Sequence, residues 1–158
     1  MRASRWRNAL GTLTVVTGIG LMFGTGTAAA APFPGTATVS LPAKADLIAR
    51  VLVEVPVTYS CTPVDGQTSD GSNITARIRQ AVHQSTAFGF GGATEPATCD
   101  GAVHTQTVQV LAGESDLSAA HFRKGEAIAI ANISVCGSIN GVFGCERAVA
   151  GWKEIRLF

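Results

Sequence analysis

The sequence predicts an all-β protein, folded as an antiparallel β-sandwich of about seven short strands. Apolar and polar residues alternate along several segments, as they do in strands that have one buried face. Turn-forming residues recur roughly every 8 to 15 positions, and helical periodicity is almost absent. This spacing is typical of an immunoglobulin-like sandwich, and a small closed barrel is the alternative.

The N-terminal residues 1–31 are predicted to be a cleavable signal peptide and are excluded from the fold. Three arginines among the first seven residues give a positive start, Ala9–Phe23 is mostly apolar, and Ala28–Ala31 supply the small residues of a cleavage site. Because the apolar segment is shorter than a stable membrane span, we expect cleavage and no stable membrane anchor afterwards. The predicted location is therefore secreted and extracellular.

The remaining residues, 32–158, are predicted to be a single domain whose first four residues, 32–35, are a flexible leader. The whole chain has 12 basic and 11 acidic residues, and three of the basic residues lie in the signal segment. The domain therefore has nine basic and eleven acidic residues, a net charge of −2. A mildly acidic domain is not expected to bind nucleic acid.

Four cysteines in an exported chain are expected to form disulfides. Cys136 and Cys145 bracket a glycine-rich segment that suits a tight turn between antiparallel strands, which favours their pairing and leaves Cys61 with Cys99. The rival pairing joins Cys61 to Cys136, near the spacing of an immunoglobulin intersheet bridge, and Cys99 to Cys145. The sequence contains no C-x₂-C pair, so neither a zinc site nor another cofactor is predicted.

The elements follow in order from these patterns. A short strand at 36–41 precedes the strongest alternation, Leu47–Cys61, which Pro56 is expected to divide into two pieces. The next strand, 74–82, has Gln80 as a polar gap in its apolar face. We predict a loop at 85–95, a hairpin at 98–111 turning at Asp100-Gly101, a short helical turn at 115–120, and strands at 126–136 and 147–158.

Three phenylalanines form the candidate binding loops. Phe88 and Phe90 lie in the glycine-containing segment 86–92, and Phe143 lies between Cys136 and Cys145. Exposed on loops, such side chains would form an apolar contact for a partner, whereas the simpler interpretation folds them into the end of the sandwich. Trp152 is likewise either a core residue or an interface anchor.

No motif predicts catalysis, so we expect a protein that is not an enzyme. Glu114 and Asp116 are the only close acidic pair, and they suit the start of a helical turn as well as acid–base chemistry. The spacing of the three histidines matches no metal motif, and no G-x-S-x-G sequence occurs. The 65–73 loop contains Asp65, Asp70 and Asn73 as conceivable calcium ligands, but Asp-Gly is also ordinary turn chemistry.

The segment Val53–Pro63, together with Thr98-Cys99-Asp100-Gly101 and the strand after it, resembles small secreted Ig-like proteins of high-GC Gram-positive bacteria. The resemblance implies a secreted Ig-like fold without implying an activity. We therefore expect a non-catalytic module with a structural or binding role, whose partner is an extracellular protein or a small ligand. The alternatives are a small-ligand carrier or a protease-inhibitor-like protein that uses residues 86–92 or 136–145.

Overall fold

The computed structural model describes residues 36–63, 71–113, 120–139 and 141–158, with only the backbone of Ile139. These residues form eight β-strands and no helix. The strands are β1 Ala37–Ser40, β2 Lys44–Ala49, β3 Leu52–Cys61, β4 Asn73–Val82, β5 Ser85–Ala93, β6 Val103–Ala112, β7 Gly125–Ile139 and β8 Val142–Leu157. In this part of the chain there is no helix with the length and hydropathy needed to cross a bilayer.

The strands close into a barrel, so the predicted immunoglobulin-like sandwich is wrong. The hydrogen-bonded order β3–β2–β8–β7–β4–β5–β6 returns to β3, because β6 pairs with β3 over nearly the full length of both strands. Seven of the strands described thus form the barrel, and β1 is an extra strand on β3. The physical reason is that β3 pairs along both edges, which joins what would otherwise be two separate sheets.

A short parallel pair completes the closure. Lys44 and Ala45 of β2 lie opposite Arg156 and Leu157 of β8, whereas the other strand pairs are antiparallel. The Arg156 N–H donates to the Ala43 carbonyl at 3.0 Å, and the Phe158 N–H donates to the Ala45 carbonyl at 3.3 Å. The hydrogen bonds between the end of β8 and the start of β2 therefore close the barrel.

Pro56 lies inside β3, and the predicted break falls earlier, at Arg50–Val51. The carbonyls of Val51 and Cys61 accept hydrogen bonds on the β6 side, so the odd-numbered residues of β3 direct their backbone groups toward β6. The even-numbered residues, including Pro56, therefore direct theirs toward the opposite edge. On that edge the pairing with β2 ends at Glu54 and the pairing with β1 begins at Thr58. Proline is tolerated here because its missing N–H falls between the two partners.

The barrel interior is filled by the inward residues of the alternating strands. This confirms the buried faces predicted for 53–61 and 74–82. The largest fully buried side chains are Phe122, Ile74, Ile78, Ile133, Leu157, Val53, Val55, Val57, Val108, Val110 and Val135. Burial of each such side chain contributes roughly 1.5–3 kcal/mol to folding.

Gln80, the predicted polar gap, is buried with its amide satisfied. Its Nε2 donates to the carbonyls of Arg123 at 2.7 Å and Glu126 at 3.2 Å, and its Oε1 accepts from the Arg123 N–H at 2.8 Å. A buried amide is stable only when its donors and acceptor are paired in this way. Gln80 therefore fastens the segment that leads into β7 to the end of the barrel.

The segment predicted as a loop at 85–95 is mostly strand β5. A Cβ atom on Gly91 would lie 1.7 Å from the Gln109 carbonyl oxygen, so only glycine allows β5 and β6 to approach this closely. The glycines that suggested a loop are therefore required by strand packing. The predicted hairpin at 98–111 is also wrong, since only its second arm is a strand, β6.

Both disulfides have the pairing that the sequence favours, Cys61 with Cys99 and Cys136 with Cys145. The first ties the end of β3 to the connection before β6, and the second links opposite residues of β7 and β8. Two disulfides are typical of extracellular proteins. Outside the described residues lie the predicted signal peptide, the leader 32–35, Asp65, Asp70, and residues 114–119, which include the acidic pair and all of the predicted helical turn except Ala120.

Candidate functional site

The outer face of strands β5, β4, β7 and β8 carries aromatic residues next to arginines. The strand register sets Phe88 opposite Arg79, and Phe90 opposite Arg77. On its other side, Arg79 lies opposite Ile128 of β7. We call the outward residues Arg77, Arg79, Phe88, Phe90, Ile128 and Trp152 the arginine–aromatic face.

A β-bulge brings Trp152 to this face. Ala129 pairs with Lys153 and Ala131 pairs with Ala150, so β8 contains one residue more than β7 at this point. Trp152 lies in the extra segment, and its side chain is 47% exposed. The residue is therefore an outer-surface aromatic and not part of the core.

Aromatic rings hold both arginines in place. The guanidinium carbon of Arg79 lies 5.1 Å from the centre of the Trp152 ring and 5.7 Å from that of Phe88. The guanidinium carbon of Arg77 lies 5.4 Å from the centre of the Phe90 ring, which is 48% exposed. Stacking of this kind orders a guanidinium while leaving N–H groups at its edge for a ligand.

The two arginines have no ion-pair partner among the described residues. The salt bridge in this part of the chain joins His104 to Asp100. Glu154 of β8 pairs with Ile128 of β7, which in turn pairs with Arg79 of β4. Glu154 and Arg79 are therefore two strand spacings apart, about 10 Å. Glu126 lies nearer, on the diagonal from Arg79 across β4 and β7, and lines a concavity with Arg79 and Glu154. The face therefore presents guanidinium groups without ion pairs among the described residues, beside exposed apolar rings and with carboxylates at its edge.

Polar residues border the face on one side. A concavity of about 380 Å³ is lined there by Gly71, Asn73, Thr75, Arg77, Phe90, Asn132, Ser134, Cys136 and Arg147. Within it the Asn132 amide Nδ2 donates to the hydroxyl of Thr75 at 3.0 Å. The arrangement is an apolar and cationic centre with a hydrogen-bonding rim.

The three predicted phenylalanines do not share one surface. Phe88 and Phe90 are outward residues of β5, whereas Phe143 pairs with Ser138 at the far end of the β7–β8 hairpin. The eight residues from Ile130, opposite Arg77, to Ser138 span about 26 Å at roughly 3.3 Å each. A single cleft lined by all three is therefore not formed.

The end of the β7–β8 hairpin forms a separate exposed apolar site. Val142 and Phe143 are 69% and 71% exposed. The Cys136–Cys145 disulfide closes the hairpin beneath them. The 136–145 segment is thus extended strand on both sides of its turn.

Asp100 and His104 form a hydrogen-bonded pair at the end of the barrel opposite to Gln80. His104 Nε2 lies 2.7 Å from Asp100 Oδ1, and its ring centre lies 5.7 Å from that of Tyr59. The hydrogen bond to His104, followed by that from the Ala102 N–H, lowers the pKa of the exposed Asp100 carboxyl. The pair anchors the connection that leads into β6.

The described residues also contain no group of three or more His, Cys, Asp or Glu placed to hold a metal ion. Sequence reasoning singled out Phe88, Phe90 and Trp152 but missed Arg77 and Arg79. The available signal was their position on the polar side of the 74–82 alternation.

Searches of protein-family models and of curated proteins found no match to the chain.

Proposed function

We propose that this protein is a secreted, non-catalytic module that binds an acidic partner protein through the arginine–aromatic face. The observation that carries the proposal is the pair of arginines, Arg77 and Arg79, held on exposed aromatic rings and without an ion-pair partner among the residues that the structure describes. Tryptophan, phenylalanine and arginine are enriched at the centres of protein interfaces, where a few of them supply most of the binding energy.

The charge of the face specifies the chemistry of the partner. A guanidinium edge recognises carboxylates through two parallel hydrogen bonds, and the rings beside it exclude water from that contact. The polar rim at Asn132 and Thr75 suits backbone groups of a polypeptide. The partner is therefore an acidic protein surface that also contributes apolar side chains.

Secretion is part of the proposal. It is supported by the signal-peptide pattern at 1–31 and by two disulfides, which persist in oxidising compartments. Mass spectrometry of the protein from culture medium would test it. A product that begins at Pro32 or one residue earlier is expected, and one that begins at Met1 would contradict export.

Peptide display on immobilised residues 32–158 tests the binding role. We expect enrichment of peptides that combine Asp or Glu with aromatic residues. A synthetic enriched peptide should lose about tenfold or more in affinity for the Arg77→Ala/Arg79→Ala double variant. The matched control is Arg50→Ala/Arg123→Ala, which removes the same charge at the end of the barrel near Gln80, outside the arginine–aromatic face, and should retain binding.

The result can contradict the proposal in two ways. Equal losses in both double variants would mean that overall charge alone attracts the peptides. Unchanged affinity in Arg77→Ala/Arg79→Ala would mean that the arginine–aromatic face is not the contact surface.

A second candidate function is protease inhibition by the β7–β8 hairpin. It is favoured by the exposed, extended Val142–Phe143 pair held above a disulfide. A serine protease that accepts aromatic residues should be inhibited by the protein, and Phe143→Ala should weaken inhibition at least tenfold, whereas the equally exposed control Val103→Ala should not. Rapid cleavage of the hairpin without inhibition would exclude this function.

A further inference from the structure

Strand β8 has an edge that no described strand covers along part of its length. One edge of β8 pairs with β7 from Val142 to Leu157. The other edge pairs with β2 only at Arg156 and Leu157. Unpaired strand edges are templates for another strand, and most proteins cover or protect them.

The hydrogen bonds at the closed end show which residues face this edge. The N–H groups of Arg156 and Phe158 point away from β7, since they donate to β2 and the chain before it. The extra residue of the bulge reverses the alternation along β8. After the bulge the even-numbered residues direct their N–H and C=O groups away from β7, and before the bulge the odd-numbered residues do so. The N–H and C=O groups of Phe143, Cys145 and Arg147 therefore point outward.

The disulfide gives the same assignment independently. Cys136 and Cys145 lie opposite each other with their Cα atoms 4.0 Å apart. This is nearer to the spacing of about 4.5 Å for a pair without mutual hydrogen bonds than to the 5.5 Å of a hydrogen-bonded pair. The backbone groups of Cys145 therefore point away from β7, toward an edge on which no strand among the described residues pairs with them.

The register of β2 limits the uncovered length. Continued along β8, it sets Leu41 opposite Lys153, and the Lys153 Nζ does donate to the Leu41 carbonyl at 2.7 Å. The chain before Leu41, which includes β1, then runs beside β8 near residues 149–152 without pairing with it. We call the remaining stretch, 142–148, the open edge, and at about 3.3 Å per residue it is long enough for a short strand.

We propose that the open edge binds an extended segment of a partner polypeptide as an added antiparallel strand. The backbone groups of Phe143, Cys145 and Arg147 supply the hydrogen bonds. Their side chains lie on the outer face, so the segment carries an acidic residue opposite Arg147 and an apolar residue opposite Phe143.

The charges of the edge argue against a second copy of this chain as the occupant. Glu146 is the only carboxylate of the open edge, and it faces the opposite side of the sheet from Arg147. Because residues paired across antiparallel strands share one face, two β8 edges can never set Glu146 against Arg147. A carboxylate opposite Arg147 must come from a different sequence.

This inference rests on the backbone of β8, whereas the proposed function rests on Arg77 and Arg79; Arg147 borders both sites, so the same peptide is also tested on Arg77→Ala/Arg79→Ala to tell them apart. The probe is a designed heptapeptide in which threonine alternates with Glu, Val and Leu, with Glu placed to oppose Arg147. Fluorescence anisotropy with residues 32–158 should give saturable binding below about 1 mM, an affinity typical of weak recognition.

Variants of Arg147 separate the backbone from the charge. Arg147→Ala removes the guanidinium alone, whereas Arg147→Pro also removes an N–H that points away from β7, so Arg147→Pro should bind the peptide about tenfold more weakly than Arg147→Ala. Arg147→Glu keeps the N–H, should also weaken binding, and should recover it with a peptide that has Lys in place of Glu. Arg123→Glu makes the same charge change elsewhere and should bind the original peptide normally.

Several results would overturn the proposal. These are absence of binding at about 1 mM peptide, equal binding by Arg147→Pro and Arg147→Ala, and failure of the charge exchange to restore binding. Binding that survives Arg147→Pro but is lost in Arg77→Ala/Arg79→Ala would belong to the arginine–aromatic face. Self-association in sedimentation that Arg147→Pro abolishes would assign the open edge to a second copy.

Discussion

Arg79 and Trp152 are in contact through a guanidinium–indole stack, with the guanidinium carbon 5.1 Å from the ring centre. The two residues belong to β4 and β8, which are separated by β7. The stack reaches across the intervening strand because the bulge sets Trp152 outward beside Ile130. This contact determines the shape of the arginine–aromatic face.

A double-mutant cycle measures the stack. Arg79→Ala and Trp152→Ala together should destabilise the protein by less than the sum of the single changes, with a coupling of about 0.5–1 kcal/mol. Urea denaturation of the four proteins gives the value. Arg123→Ala with Trp152→Ala is the control pair and should be additive, and additivity for Arg79 as well would mean that the stack adds no stability.

Gly91→Ala should destabilise the barrel by about 3 kcal/mol or more, because the new Cβ overlaps the Gln109 carbonyl at 1.7 Å and forces β5 and β6 apart. Gly151→Ala is the matched change, since no atom lies within 4 Å of its Cβ position. Thermal unfolding of both variants is the measurement. Similar melting temperatures for the two would contradict the close approach of β5 to β6.

The two disulfides should contribute unequally to stability. Loop-closure entropy gives about 3.9 kcal/mol for Cys61–Cys99 and about 2.6 kcal/mol for Cys136–Cys145. The first pair is also buried, whereas Cys145 is exposed. Paired Cys→Ala variants should therefore rank in that order in denaturant unfolding, and mass spectrometry of the unreduced protein should show the same two links.

Asp100 should make stability depend on pH in the acidic range. His104 lowers the pKa of this carboxyl in the folded state. A lowered carboxyl pKa stabilises the fold above the unfolded-state pKa of about 4, and the contribution is lost as the pH falls through the folded value. His104→Phe should raise the pKa of Asp100 toward its ordinary value in an NMR titration, and an unchanged midpoint would contradict the assigned cause.

Proline substitutions test which backbone groups of β8 face the barrel. Arg147→Pro removes an outward N–H, whereas Ala148→Pro removes one that bonds to β7. Ala148→Pro should therefore be less stable than Arg147→Pro by about 1–3 kcal/mol. Unfolding in guanidinium chloride, monitored by circular dichroism, gives the comparison. The reverse order of stability would show that the N–H groups assigned as pointing toward β7 and away from it are exchanged.

The strands could be predicted wherever one face is buried, as at 53–61 and 74–82. The closure of the barrel could not, because it depends on β3 pairing with β6 on one edge and with β2 and β1 on the other. Alternation shows that a strand has a buried face but does not name its neighbours. Gly91 contributed to the wrong prediction of a loop at 85–95, because the sequence does not distinguish a glycine required by close strand packing from a glycine in a loop.

The candidate site was predicted only in part. Composition drew attention to Phe88, Phe90 and Trp152, because exposed aromatics are informative in any fold. Their association with Arg77 and Arg79 depends on the β4–β5 register and on the bulge in β8, neither of which has a local sequence signal. Phe143 was grouped with the other phenylalanines by residue type, and the hairpin places it elsewhere.

The bulge at Gly151–Trp152 makes β8 a strand of two phases. Beyond it, residues such as Arg156 face outward at even numbers, and before it residues such as Cys145 face outward at odd numbers. Loss of a single residue here would leave the pairs on both sides of the bulge in register and would set one residue instead of two opposite Ile130. Cys145 would still lie opposite Cys136, because residues paired across antiparallel strands share one face, so the extra residue shapes the surface around Trp152 without deciding whether the disulfide can form.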